Sequence, residues 1–143
     1  MRSKLLLPVL GLVICGAVAL GFGCNAFFGA DLPPSLEFRS GQIDGMPPYP
    51  GGTQLSGALN LDVPPAMRRF VGDTEAMWAA YRTGDAVEDI TFFYLREMER
   101  RGHQLFGDTE SGFLGWTNGE LRYAVHVISD RVQNHVILAS GSE

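Results

Sequence analysis

Among side chains that carry chemistry, the histidines His103, His126 and His135 come closest to a metal or proton-transfer site. With a two-residue turn at Asp130-Arg131, His126 and His135 stand opposite each other on neighbouring antiparallel strands. Paired imidazoles can share a metal ion or titrate near neutral pH. No acidic third ligand falls in the same strand phase, so two polar residues on a solvated face is the plainer reading. The close carboxylates Glu97/Glu99 and Asp108/Glu110 fall on a helix surface and in a loop. Acid–base work needs one carboxyl held protonated in an apolar pocket, so these read as solvated charges. Gly21, Gly23 and Ala26 match G-x-G-x-x-A formally, but Phe27-Phe28-Gly29 and Pro33-Pro34 follow and cannot supply the helix a dinucleotide needs. There is no G-x-S-x-G, no H-E-x-x-H and no Walker loop. Trp78 and Trp116 could stack on sugar rings, although sheet packing is the commoner fate of such residues. The expectation is a protein with no catalytic site and no cofactor.

Cys24 carries a different chemistry. The other cysteine, Cys15, lies within an uncharged apolar run over residues 5–22, which Arg2 and Lys4 precede. Eighteen residues of helix span about 27 Å, just short of the ~30 Å hydrocarbon core, so length does not separate a signal peptide from an anchor. The basic residues ahead of the run favour an N-in, C-out orientation. Gly23 before Cys24 suits a lipoprotein leader, whereas Gly21 stands where such leaders usually carry Leu. Cleavage after Ala26 as an ordinary secretory signal, or retention as a membrane helix, are the competing readings. All three place the remaining chain outside the cytoplasm. Past Cys24 there is no cysteine, hence no internal disulfide and no thiolate metal site.

From Cys24 onward nine Arg and no Lys face sixteen Asp and Glu, leaving a net charge of −7. Such a surface repels nucleic acid and anionic lipid.

These residues are positioned by a short list of elements. Residues 1–23 read as signal peptide or anchor, 24–48 as a Pro/Gly-rich tether in which 35–39 could add a short edge strand, and 49–143 as a small α+β domain. Leu55, Gly57, Leu59 and Leu61 alternate, predicting one strand over 53–61; a loop with at most one helical turn follows Pro65. The stretch 75–82 reads as a second strand, although its Ala and Met content leaves a helix open. Residues 85–101 form the clearest helix, with Asp85 and Glu88 spaced for a capping box and Gly102 as its left-handed stop. Val87, Ile90, Tyr94 and Met98 make its apolar face, and Phe92 falls among charges on the opposite side. Strands over 103–106, 113–117, 120–129 and 133–139 complete the chain, with a hairpin turn at Asn118-Gly119. The predicted fold is an antiparallel sheet of about five to six strands with one long helix on one face, in the order β-β-α-β-β-β-β.

The segments "YPGG", "YRTGD" and "FFYLREMERRGH", followed by alternating strands, resemble a recurring small bacterial extracytoplasmic or lipoprotein domain without established activity. The likeness covers roughly residues 49–139 and implies a fold and an address, with no catalytic residues. Where those proteins often carry Trp after the helix-ending glycine, this chain has His103.

The expected function is a membrane-tethered binding or structural module of the bacterial cell envelope, held at the membrane through its N-terminus. Its partner is an envelope protein met through Phe92 and Phe93. The alternatives are a small subunit of a membrane complex that retains its N-terminal helix, and a ligand carrier or enzyme with a pocket between helix and sheet.

Overall fold

The computed structural model describes residues 35–107 and 112–143. They belong to one compact unit, Ser35–Glu143. Eight strands and two helices follow in the order β1 (Leu36–Phe38), β2 (Thr53–Leu55), β3 (Gly57–Leu59), α1 (Pro65–Val71), β4 (Met77–Thr83), α2 (Val87–Arg100), β5 (Gln104–Gly107), β6 (Leu114–Thr117), β7 (Leu121–Ser129) and β8 (Asn134–Ser142). Six strands form one sheet in the order β2-β4-β8-β7-β6-β5, and β1 pairs with β3 in a small second sheet. Every pairing is antiparallel. The α+β class and the long helix on one face agree with the sequence reading.

Helix α2 forms because its apolar residues recur at helical spacing. Ile90, Tyr94 and Met98 are fully buried against Tyr81, Trp116, Tyr123, Val125, Val136 and Leu138 of the sheet. Its end follows the Schellman pattern. Gly102 takes φ +79°, the amide of His103 donates to Met98 O (3.1 Å), and that of Gly102 to Glu99 O (2.9 Å). The start differs from expectation. Ala86 is the N-cap and no side chain caps the helix, so the Asp85/Glu88 capping box does not form. The side chain of Asp85 is engaged elsewhere.

The second face of the sheet is also covered, which the sequence pattern did not reveal. Trp78, Ala80, Ala124, Ile137 and Ala139 pack there against Met67 and Val71 of α1 and Leu36 and Phe38 of β1. Helix α1 runs for seven residues, beyond the single turn expected. It lies so close to β8 that a Cβ on Gly141 would stand 1.6 Å from Val71 O. Alternation along 53–61 holds, but Gly57, at φ +97°, divides the stretch into β2 and β3, which serve different sheets.

The folded body therefore starts at Ser35 rather than Tyr49. Much of the stretch 35–48, expected as tether, is core. Leu36 and Phe38 are buried on the α1 face, while Ile43 and Met46 are buried on the α2 face. The segment passes round the end of the sheet at the start of β4, where the amide of Arg39 donates to Trp78 O (2.9 Å).

Candidate functional site

The quoted motifs meet at one junction. Tyr49 of "YPGG" donates a 2.7 Å hydrogen bond to Asp85 Oδ2 of "YRTGD". Its ring meets Phe93 edge-on at 5.4 Å and stacks on Tyr94 at 6.2 Å, so "FFY" joins the same cluster. A Cβ on Gly51 would lie 2.4 Å from Asp85 Oδ2, and one on Gly52 2.8 Å from Tyr81 Cβ. Tyr94 Oη donates to Pro47 O, and Asn134 Nδ2 to Asp85 O. Burial pushes the Tyr49 phenol up to about 12, helped by the hydrogen bond to Asp85 and by the negative charges of Asp85 and Asp89. A phenol held protonated in this way supplies neither base nor nucleophile at neutral pH. The junction fastens the segment before β2 to the start of α2 and to β8.

The histidines separate. The β7–β8 turn is Arg131-Val132, closed by the amide of Asp130 donating to Gln133 O (3.2 Å). It sits one residue later than Asp130-Arg131, which shifts the register by two. His126 therefore faces Ile137, and His135 faces Ile128. The pair keeps one face but stands diagonally, roughly 7–8 Å apart by sheet geometry, so the expected direct opposition of His126 and His135 is corrected. His126 Nδ1 bonds Gly112 O. Desolvation lowers its pKa, opposed by the hydrogen bond to Gly112 and by the charge and backbone of Asp62. Among the described residues no three His, Cys, Asp or Glu side chains form a metal-sized cluster.

The His103 ring meets Tyr123 at 4.6 Å, tilted by 40°, and its Nε2 lies 3.1 Å from Gly45 O. A carbonyl only accepts, so Nε2 carries the proton and Nδ1 is left buried without a partner among the described residues.

Phe92 is 69% exposed on the outer side of α2, as its phase predicts. Phe93 is half-buried in the Tyr49 junction instead of extending a patch with Phe92. Trp78 and Trp116 are both buried, on opposite faces of the sheet, so neither stacks on an exposed ligand. Glu97, expected as a solvated charge, has a side chain only 14% exposed and pairs with the exposed Arg100 at 2.6 Å, whereas Glu99 is exposed. Cys24, the apolar run 5–22 and the loop carboxylates Asp108 and Glu110 lie outside the described residues. Among the described residues no helix is long and apolar enough to cross a membrane.

Among the described residues, clefts open on both sides of α2. One, of about 160 Å³, lies between its first turns and β6–β7, lined by Val87, Thr91, Val125 and His126 among others. That is below the roughly 300–1,000 Å³ of small-molecule sites. The second, of about 350 Å³, opens at the edge of the sheet between Leu95 and Glu99 of α2, Leu105 of β5, Trp116 and His103. Strand β5 is the edge strand there, and it displays apolar side chains in both directions. Leu105 is 50% exposed, and Phe106, 69% exposed, lies 5.5 Å from the Phe70 ring. The sequence reading missed these residues. The available signal was that "QLFG" carries no charge, whereas edge strands are usually protected by charge.

No family model, no curated protein and no solved structure matches the chain.

Proposed function

We propose that this chain is a membrane-tethered binding module on the outer side of a bacterial membrane. The observation that carries the binding reading is Phe92. A helix whose other face is fully buried exposes one large aromatic ring to solvent, within a charged surround. Leu105 and Phe106 extend the display of apolar groups to the neighbouring sheet edge. A lone exposed Phe is ordinary; further exposed apolar side chains on both faces of the adjacent sheet edge are what supports a contact surface there. The address is supported by the sequence alone: a basic start, an apolar run, Cys24 after Gly23, and an acidic body. The resemblance to small bacterial lipoprotein domains points the same way.

The test is a photo-reactive residue at position 92 in intact cells, with position 131 as an exposed control. A discrete cross-linked partner at 92 and none at 131 is the expected result. Equal, diffuse labelling at both positions overturns the contact surface.

A further inference from the structure

Strand β5 pairs with β6 on one side only, so among the described residues the outward backbone groups of Gln104–Phe106 have no strand partner. An edge without charge, flanked by apolar side chains above and below, is a template for another strand over Gln104 and Leu105, whereas the register with β6 shifts between Leu105 and Gly107, so that Phe106 stands at a bulge just beyond that run. The flanks indicate what that strand carries. At 100° per residue, Glu88, Phe92, Leu95 and Glu99 share a sector of about 60° on α2. Leu95 and Glu99 line the cleft beside Leu105, so this flank overlooks the β5 edge. Neither carboxylate of the flank makes an ion pair among the described residues. On the opposite face of the strand, Phe106 and Phe70 are apolar, and the Arg122 guanidinium sits 5.5 Å over the Phe70 ring.

Pairing β5 with β5 of a second copy would bring two such acidic flanks together across the dyad, between bodies that are each net acidic. The same charges attract a basic strand. A Lys or Arg stem can lie along Leu95 and Leu105 while its head reaches Glu99.

We propose that β5 is a strand-addition site for an extended segment of another protein in which Lys or Arg alternates with Ile, Val or Phe. The basic side chains lie over Leu95 and Leu105 toward Glu99, and the apolar ones lie against Phe106 and Phe70. This proposal rests on the binding-module reading and names the class of partner.

The test uses the full chain in detergent and a fluorescent peptide of about ten residues that alternates Lys with Ile. The controls are a block-scrambled peptide of equal charge, a Glu-for-Lys peptide, and one with alternate amides N-methylated along a single edge in either phase. Anisotropy should show saturable binding that both the scramble and one N-methylation phase weaken by about tenfold or more. Phe106→Asp should abolish it without changing the far-ultraviolet circular dichroism spectrum. Glu99→Arg should shift the preference toward the Glu peptide. Binding indifferent to N-methylation, or equal for the scramble, overturns strand addition. Concentration-dependent dimerisation lost in Phe106→Asp, with no peptide binding, assigns the edge to a second copy and overturns the proposed partner. The binding-module reading fails separately: a cross-linked partner at position 92 with none at 104 overturns strand addition and leaves that reading in place.

Discussion

Removing one oxygen atom tests whether the Tyr49 junction fastens the fold. Tyr49→Phe deletes the 2.7 Å hydrogen bond to Asp85 while keeping the ring that meets Phe93 and Tyr94. A hydrogen bond to a charged group contributes about 1.5–3 kcal/mol. Asp85 is exposed, so its carboxylate recovers water when the phenol is lost, and the expected cost falls to about 1–1.5 kcal/mol. Asp85→Ala removes the same bond from the other side and leaves Asp85 O free to accept from Asn134. The double variant should therefore cost less than the sum of the singles, with a coupling of about 1 kcal/mol. Urea unfolding followed by the fluorescence of the buried Trp78 and Trp116 measures all four corners of the cycle. The pH dependence adds a signature. The folded phenol titrates near 12 against an ordinary value of 10, so its contribution is complete below pH 10 and is lost as pH rises toward 12. Tyr49→Phe should flatten that part of the alkaline decline. A cost under about 0.3 kcal/mol, or additive singles, would refute the reasoning and leave the Tyr49–Asp85 hydrogen bond with no part in fastening the junction.

Three further outcomes are expected. Ile90→Ala should cost about 2–4 kcal/mol, because the site is fully buried. Phe92→Ala, two residues on, should stay within about 0.5 kcal/mol, and similar costs for the two would show the helix face to be wrong. Gly141→Ala should destabilise by at least about 2 kcal/mol, since the added methyl meets the Val71 carbonyl and backbone must move on both sides. Gly84→Ala, where a Cβ meets nothing within 4 Å, is its control, and equal melting temperatures would contradict the packing. His126 should titrate below the ordinary histidine range by NMR, because burial disfavours its charged form. A normal or raised value would show that the carbonyl of Gly112 and the charge of Asp62 outweigh desolvation.

The parts of the fold legible in sequence were those fixed by local period. Helix α2 was visible because Ile90, Tyr94 and Met98 recur at its pitch and Gly102 ends it. The core phase of β7 and β8 was visible because Tyr123, Val125, Val136 and Leu138 alternate. Contacts between distant segments were not. The second layer is assembled from Leu36, Phe38, Val63 and Met67, scattered through proline- and glycine-rich sequence with no single period. The histidine register failed by one turn residue, because Asp130-Arg131 and Arg131-Val132 differ little in local chemistry yet shift every cross-strand pair by two. The spacing of Asp85 to Glu88 permits a helix cap; only the fold brings the Tyr49 hydroxyl within reach as a competing partner. At the candidate surface, Phe92 was legible from its phase. Phe106 was not, because alternation along a four-residue strand does not say that the strand is an edge.

The proposed tethering has a direct measurement: the mass of the mature chain's N-terminus, taken from isolated membranes, together with the fate of the body when protease is added outside spheroplasts. The account predicts a chain that sediments with membranes, begins at a lipid-modified Cys24, and loses its folded body to the external protease once unfolded by mild urea. A chain that begins at Phe27 in the soluble fraction, or one whose body stays intact until the membrane is broken, would contradict it.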